Sequence, residues 1–138
     1  MSCLIIPCYL RTDWDLACLH RLLDSIDAQT LRLEHVYVVD DASPLKYDLK
    51  NRTVEHVILE KNGGPARARN VAISKALAAG YRHLLFTDHD CILDKQWAEQ
   101  MTAFLESTDF AAVGGMTYSW GKTLLDRYHD LNGTLAGK

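Results

Sequence analysis

Short apolar runs alternate along this chain with longer amphipathic segments, and that alternation limits the fold more than any other feature of the sequence. The apolar runs are residues 4–6, 35–39, 54–59 and 83–87, and each has the length of a buried strand. The segments between them include two of helical length, residues 13–28 and 65–79. Strands that alternate with helices are joined by right-handed crossovers. We therefore predict an α/β fold with a mainly parallel, Rossmann-like sheet and helices on both faces.

Local signals indicate where the first two helices begin and end. Thr12 or Asp13 can cap the start of the first helix. Pro65 suits the first turn of the second helix, and Gly80 suits its C-terminal stop. Both helices are therefore predicted with defined ends.

The last third of the chain carries weaker signals. We predict a helix over residues 95–106 and a fifth strand over residues 110–113, which two glycines end. No internal repeat, linker or low-complexity segment interrupts the chain. The sequence therefore predicts a single domain over residues 1–138.

The charge balance and hydropathy exclude several classes of partner. The chain has 15 Lys and Arg against 18 Asp and Glu, a formal net charge of −3, and no basic tract. A nucleic-acid backbone is therefore an unfavourable partner. No apolar run approaches the roughly 20 residues of a transmembrane helix, and the N-terminus lacks the features of a signal peptide. We predict a cytoplasmic protein and leave peripheral association with a membrane open.

The chain lacks the signatures of zinc and serine-nucleophile enzymes. Its four cysteines have no zinc-knuckle or redox spacing, so we predict buried thiols. Its six histidines form no helical pair around a glutamate, and no G-x-S-x-G turn occurs.

Polar residues follow three of the predicted strands at their carboxyl ends. Tyr9 follows the first strand, Asp40 and Asp41 end the second, and Asp88 and Asp90 follow the fourth. In parallel α/β sheets, ligands bind at this edge. The convergence of these side chains is the main indication of a ligand site.

The two acidic clusters differ in what they predict. Asp88 and Asp90 repel each other unless a cation lies between them. Mg²⁺ or Mn²⁺ prefers such oxygen ligands and completes its shell with substrate phosphate oxygens, so we expect one of these ions at Asp88 and Asp90. The Asp40-Asp41 pair is compatible with a second metal site, with hydrogen-bond acceptors for a ligand, or with a plain turn.

Residues 62–70 place two glycines before a helix N-terminus, where backbone N–H groups and the helix dipole favour an anion. The segment matches neither the P-loop nor the G-x-G-x-x-G pattern. Arg67 and Asn70 share one helix face, whereas Arg69 points elsewhere, so helix geometry favours Arg67 for the ligand.

Five motifs between residues 4 and 90 resemble, in order and spacing, those of the family 2 glycosyltransferases of the GT-A fold. They are LIIPCY at 4–9, SIDAQT at 25–30, VVDDAS at 38–43, NGGPARARN at 62–70 and FTDHD at 86–90. The resemblance implies a nucleotide-diphosphate sugar donor at the carboxyl edge, with Mg²⁺ or Mn²⁺ bridging its diphosphate. It also implies inverting transfer of the sugar to an acceptor such as a saccharide, a lipid or a protein glycan.

The resemblance further implies roles for residues near the base and ribose. Pro7 and Tyr9 would line the base pocket. Asp41 would accept a hydrogen bond from the base, and Asp40 would support that loop or the ribose.

At the diphosphate, the implied roles fall on two later motifs. Arg69 and Asn70 match the Arg-Asn pair of the family, with the arginine near the nucleotide or diphosphate. Asp88 and Asp90 match its acid-x-acid motif, with Asp88 also near the nucleotide and Asp90 the direct metal ligand. The family pattern thus favours Arg69 where helix geometry favours Arg67.

Two departures and two alternatives accompany the resemblance. Leu10 stands where an asparagine is common in the family, and Cys91 stands where a third acid is common. The alternatives are a nucleotide-sugar-binding module without turnover and a nucleotidyltransferase on a related sheet.

No catalytic base is assigned from the sequence. The carboxylates after the acid pair match no base motif of the family; they are Asp94, Glu99, Glu106, Asp109, Asp126 and Asp130. The resemblance implies an acceptor-binding part after Gly115, and we expect most of it to lie outside this chain. We therefore expect the chain to be the nucleotide-binding part of a longer transferase, incompetent for transfer alone.

Overall fold

The computed structural model describes residues 1–119, 121 and 123–132. The chain divides into two compact units, Met1–Thr102 and Ala103–Lys138. The elements of the described residues are β1 (Ser2–Cys8), α1 (Asp13–Asp27), β2 (His35–Asp40), β3 (Glu55–Ile58), α2 (Pro65–Ala78), β4 (His83–Phe86), α3 (Trp97–Glu106) and α4 (Leu124–Asn132). No helix in this part of the chain is long and apolar enough to cross a membrane. One domain over residues 1–138 stays a prediction.

The four strands form one parallel sheet in the order β3-β2-β1-β4. Ile5 of β1 lies opposite Tyr37 of β2 on one side and opposite Phe86 of β4 on the other. At the end of β1, Cys8 lies opposite Asp40. Because all four strands run in the same direction, the residues that follow them meet at one edge of the sheet. The predicted α/β fold with a parallel sheet is confirmed.

The side chains of β1 alternate between two hydrophobic layers, one on each face of the sheet. Leu4 and Ile6 belong to the layer that α1 covers, together with Leu19. Ile5 belongs to the opposite layer, which α2 covers. The sheet-facing stripe of α2 consists of Ala68, Ala72 and Ala76. Because alanine side chains are small, α2 packs close to the strands, and helices cover both faces as predicted.

The four cysteines are free thiols. Cys3, Cys8 and Cys18 are buried, and Cys91 is partly exposed. The prediction of buried thiols is therefore confirmed for three of the four.

Helix α1 begins with a reciprocal capping box, which decides between the two candidate caps. Thr12 is the N-cap: its hydroxyl accepts from the Asp15 N–H at 3.2 Å. The Asp15 carboxylate in turn accepts from the N–H groups of Thr12 and Arg11 at 3.0 and 2.8 Å. The Asp15 N–H of the first turn, which has no partner within the helix, and the N–H groups of the two residues before the helix are satisfied in this way.

Replacing Thr12 by alanine is expected to lower the free energy of unfolding by about 1 kcal/mol, because a first-turn N–H loses its acceptor. Urea denaturation of Thr12→Ala and wild type measures the difference. Thr53→Ala is the control, since Thr53 is exposed and lies outside every helix and strand. Equal effects of the two substitutions would contradict a role for the cap.

The predicted fifth strand over residues 110–113 is wrong, because the structure has no strand there. Phe110 and Val113 are 64% and 36% exposed, and no described strand pairs with this segment. A four-residue run with two alanines has weak β propensity, and no cross-strand partner holds it extended.

The start of α3 and the presence of α4 also differ from the prediction. Helix α3 begins at Trp97, because the carboxylate and carbonyl of Asp94 accept from the N–H groups of Gln96 and Trp97 and form a turn first. Helix α4 was not predicted, although Thr123 and Asp126 form a reciprocal cap at its start. The Thr-x-x-Asp spacing is the signal that could have found it.

Candidate functional site

A cavity of about 540 Å³ opens at the carboxyl edge of the sheet, in the unit Met1–Thr102. The loops after all four strands and the N-terminal part of α2 form its walls. The predicted site residues that line it are Pro7, Tyr9, Asp41, Arg69, Asp88 and Asp90. Asp40 and Asn70 lie outside this lining. The topology thus brings six of the eight predicted side chains to one place.

Pro7 and Tyr9 form the wall that follows β1. Pro7 pairs with Val39 of β2 but lies beyond the stretch of β1 that pairs with β4, a position where a missing N–H is tolerated. Tyr9 comes directly after the strand and is 40% exposed. The cavity therefore has a rigid apolar wall beside an aromatic ring that can stack on a flat ligand.

Asp41 is buried and clamps the loop before α2. Its carboxylate accepts from the Gly63 N–H at 3.0 and 3.1 Å and from the Gly64 N–H at 2.7 Å. Its carbonyl accepts from the Asn62 side chain at 3.1 Å. Gly64 has φ of +88°, which a residue with a Cβ rarely adopts. Asp41 thus fixes the first turn of α2 to the end of β2, and its carboxylate keeps acceptor capacity for a ligand.

Asp40 is buried next to Asp41, and its carboxylate accepts a hydrogen bond from the protein backbone. Its carboxylate accepts from the Ser43 N–H at 2.7 Å, and the Ser43 hydroxyl accepts from the Leu10 N–H at 2.7 Å. Ala42 lies inside this turn with φ of +59°. Asp40 therefore ties the loops after β1 and β2 together, and a contact with a ribose stays a prediction.

A polar network that the sequence analysis missed extends from the cavity wall at Cys8. The Tyr47 hydroxyl lies 3.3 Å from Cys8 Sγ and 3.2 Å from His56 Nε2. Burial raises the pKa of the Cys8 thiol to about 12 and also raises the pKa of the Tyr47 hydroxyl, so both stay neutral near pH 7. Nothing local in the sequence marks Tyr47 or His56, because their partners lie in other segments of the chain.

The imidazole of His56 predicts a pH dependence of stability. Burial lowers its pKa below the ordinary value, and the opposing effects of Asp40 and Asp48 are weaker. The unfolded chain therefore binds this proton more readily, so stability is full above about pH 6.5 and falls as the pH drops through the lowered folded value. Urea unfolding between about pH 7.5 and pH 5 should show a smaller loss for His56→Gln than for wild type. Parallel curves for the two proteins would contradict this.

The structure decides between the two arginines of α2. Arg69 lines the cavity and pairs with the Asp88 carboxylate at 2.5 Å. Arg67 instead donates to the Lys61 carbonyl at 2.7 Å and lies outside the cavity lining. Asn70 is exposed, and its carbonyl accepts from the Ser74 hydroxyl at 3.0 Å. Arg69, which the family pattern favours, is therefore the arginine that lines the cavity, and Arg67, which the helix-face argument favours, lies outside the lining.

Asp88 and Asp90 are the two carboxylates that could hold a cation at this cavity. Both line the cavity and are exposed, so their carboxylates stay accessible. Within the described residues, no group of three or more His, Cys, Asp or Glu could hold a metal ion by itself. Two carboxylates with room for phosphate oxygens suit Mg²⁺ or Mn²⁺ better than zinc.

A comparison with known families bears directly on this arrangement. The model of the family described as Glycosyl transferase family 2 matches residues 3–135 of the chain. The chain belongs to this family. The recognition from five motifs is confirmed, and the match places the chain with the glycosyl transferases rather than the nucleotidyltransferases.

Curated relatives of this family 2 chain are described as uncharacterized glycosyltransferases. One from Rickettsia bellii (strain RML369-C) is 29% identical over 112 residues, covering 77% of this chain and 15% of the relative. One from Rickettsia felis (strain ATCC VR-1525 / URRWXCal2) is 28% identical over 112 residues, covering 77% of this chain and 17% of the relative. The chain thus spans about 15–17% of the length of these relatives.

Solved structures support the fold. The crystal structure of S. aureus TarS 1-349 has a TM-score of 0.60 and 23% identity, covering 91% of this chain and 42% of that chain. A second crystal structure of S. aureus TarS has a TM-score of 0.59 and 23% identity, covering 86% of this chain and 24% of that chain. The predicted Rossmann-like GT-A sheet is confirmed.

Proposed function

We propose that this chain is the donor-binding part of a family 2 glycosyltransferase. It binds a nucleotide-diphosphate sugar, and the sugar passes with inversion to a saccharide, lipid or protein-glycan acceptor. One observation carries the proposal: the cavity joins an aromatic ring, a buried carboxylate, an arginine and an acid pair at the carboxyl edge of a parallel sheet. Its volume of about 540 Å³ lies within the usual range for small-molecule sites.

The base fits the wall formed by the loops after β1 and β2. Tyr9 offers a partly exposed ring for stacking, and Pro7 keeps the wall beside it rigid. Asp41 offers an acceptor for a base N–H while it holds the glycines of the next loop. Asp40 keeps Asp41 in place through the turn that it shares with Ser43. This end of the cavity therefore contributes binding and orientation.

The diphosphate fits the opposite wall. Arg69 supplies a fixed positive charge, and the N-terminus of α2 adds its helix dipole. Asn70 follows Arg69 in the family motif, but it lies outside the lining here, so its contact with the nucleotide stays a prediction. Arg69 would bind the diphosphate and stabilise the negative charge that develops on it.

Asp88 and Asp90 would hold Mg²⁺ or Mn²⁺ between the protein and the diphosphate, with Asp90 as the direct ligand. When bound, such an ion neutralises negative charge on the leaving nucleoside diphosphate. Asp88 already pairs with Arg69, so the acid pair and the arginine form one charged group facing the ligand.

Calorimetric titration with uridine and guanosine diphosphate, with and without Mn²⁺, tests the proposal. We expect one of them to bind, with a dissociation constant at least about tenfold lower when Mn²⁺ is present. Asp90→Asn should remove this gain, because it deletes a charged cation ligand. The control Asp48→Asn changes an exposed carboxylate that lies outside every helix and strand, and it should keep the gain. Absence of metal-dependent binding to either nucleotide would refute the proposal.

Turnover needs a separate measurement, because binding is common to a transferase and to a module without turnover. Incubating the chain with nucleotide sugars and Mn²⁺, and measuring released nucleoside diphosphate, distinguishes the two. Release above the Asp90→Asn background supports transferase chemistry in this chain. Binding without release supports a donor-binding module that needs further residues for transfer.

A further inference from the structure

The motif at residues 25–30 has no part in the proposed function, although it is one of the five motifs behind the family resemblance. It lies at the end of α1 and just after it, away from the cavity lining. Its polar side chains contact the segment 93–99, which follows the acid pair. We call the three residues that make these contacts, Ser25, Gln29 and Thr30, the α1 anchor.

Ser25 provides the first of these contacts. Its hydroxyl donates to the Leu22 carbonyl at 2.7 Å within α1 and accepts from the Leu93 N–H at 3.1 Å. The Leu93 side chain packs against the hydrophobic layer that α1 covers. The chain is therefore fixed to α1 at Leu93 by both a hydrogen bond and apolar packing.

Gln29 uses both ends of its side-chain amide. Its Nε2 donates to the carbonyls of Asp94 at 2.7 Å and Ser25 at 3.1 Å. Its Oε1 accepts from the N–H of Ala98 at 2.9 Å. Ala98 is fully buried in the first turn of α3, where an N–H has no partner within the helix. Gln29 thus caps α3 from another element and fixes the turn before it.

Thr30 adds contacts at the same place. Its backbone N–H donates to the Lys95 carbonyl at 2.9 Å. Its hydroxyl donates to the Glu99 carboxylate at 2.6 Å and lies 3.4 Å from the Lys95 carbonyl. The contacts of the α1 anchor therefore reach residues 93–95 and the first turn of α3.

These contacts restrain the loop that carries the acid pair. On its other side, the Thr87 N–H donates to the Ile5 carbonyl of the sheet at 3.4 Å, so only residues 88–92 lie between two attached points. Three residues of extended chain span at most about 11 Å. The distance between Asp90 and the attached Leu93 therefore cannot exceed about 11 Å. A short loop attached at both ends loses less freedom when it binds a ligand.

We propose that the α1 anchor positions the acid pair. Ser25, Gln29 and Thr30 hold the loop so that Asp88 and Asp90 present their carboxylates to a cation shared with a diphosphate. The proposal rests on the proposed donor binding, and it adds positioning residues that lie outside the cavity. Residues that orient metal ligands in this way commonly affect metal affinity strongly when they are replaced.

The test compares metal-dependent and metal-independent binding in the full chain. Ser25→Ala removes the acceptor of the Leu93 N–H. Gln29→Leu removes all three hydrogen bonds of the Gln29 side-chain amide. For each variant, calorimetry gives the affinity for uridine and guanosine diphosphate with and without Mn²⁺, and for the nucleosides without Mn²⁺. Two controls make the same changes at exposed helix positions: Ser74→Ala and Gln100→Leu.

We expect the gain in affinity from Mn²⁺ to fall about tenfold in Gln29→Leu and about threefold in Ser25→Ala. Affinity for the nucleosides should stay at the wild-type level, because the base wall does not involve the anchor. Gln29→Glu keeps an acceptor for Ala98 but loses both donated bonds, so it should retain part of the gain. Backbone hydrogen exchange of residues 88–96 should be faster in Ser25→Ala and Gln29→Leu than in Ser74→Ala and Gln100→Leu.

The outcomes separate this proposal from the proposed function. If wild type shows no metal-dependent binding, the proposed function is refuted and the positioning role with it. If wild type binds and both anchor variants keep the full Mn²⁺ gain, the positioning role alone is refuted. A parallel loss of nucleoside affinity would show a general structural role and also refute it. Should Gln29→Leu fail to fold, Ser25→Ala and Gln29→Glu decide the question.

Discussion

Replacing Asp41 by alanine is expected to lower the free energy of unfolding by about 3–5 kcal/mol, the largest single effect on stability at this site. The substitution removes the acceptor of two backbone N–H groups, those of Gly63 and Gly64. Hydrogen bonds to a charged group contribute about 1.5–3 kcal/mol each, and Asp41, which is 3% exposed, accepts from both of these N–H groups.

Asp41→Asn provides a graded comparison. The asparagine keeps one acceptor oxygen but loses the charge, and its amide group would point an N–H toward a backbone N–H. We expect it to cost less than alanine, about 2 kcal/mol. Asp48→Ala is the control, because Asp48 is exposed, and it should cost less than about 0.5 kcal/mol. Urea unfolding measures all three, and an Asp41→Ala loss no larger than that of Asp48→Ala would contradict the clamp.

The same substitution should also weaken the ligand site. Without Asp41 the loop before α2 loses its attachment to β2, so the Asp41→Ala variant is expected to bind nucleoside diphosphate more weakly whether or not Mn²⁺ is present. This separates Asp41 from Asp90, whose replacement should remove only the effect of Mn²⁺.

Replacing Arg69 by glutamine is expected to change two affinities in opposite directions. Affinity for uridine or guanosine diphosphate should fall about tenfold to a hundredfold, since a charged donor to phosphate is lost. Affinity for Mn²⁺ alone should rise, because Asp88 no longer pairs with a cation of the protein itself. Asp88 is 58% exposed and such pairs are weak, so we expect a rise of only about threefold.

Arg67→Gln is the matched control for this pair of measurements. Arg67 lies two residues away on the same helix, but its guanidinium donates to the Lys61 carbonyl and not to Asp88. Calorimetry gives the nucleotide affinity, and electron paramagnetic resonance of free Mn²⁺ gives the cation affinity. If Arg69→Gln lowered both affinities, or neither, Arg69 would not be the counter-ion of the acid pair.

The local parts of this fold were predictable because their causes are local. The second helix, predicted over residues 65–79, is observed as Pro65–Ala78, since a proline and a glycine mark its ends. The second strand, predicted over 35–39, is observed as His35–Asp40. The prediction of a strand over residues 110–113 was wrong for the opposite reason. A strand needs a neighbouring strand to pair with, and its own sequence does not supply one.

The candidate site was predictable as a list of residues but not as an arrangement. The order of strands placed Tyr9, Asp41, Asp88 and Asp90 at one edge. The choice of Arg69 over Arg67 needed the path of the loop after β4, because helix spacing gives relative directions and not the position of a partner. No local sequence pattern indicated that Tyr47 and His56 form a hydrogen-bond network with Cys8.

By itself, the sequence determined the α/β class, the edge of the sheet where the polar side chains gather, and the family, because strand ends, helix caps and ordered motifs are encoded locally. Only the tertiary structure decided what these residues do for one another. It showed that Asp41 holds the loop before α2, that Arg69 neutralises Asp88, and that Gln29 reaches Asp94 and Ala98. Each of these contacts joins residues about 20–70 positions apart, so it depends on packing that no local pattern specifies.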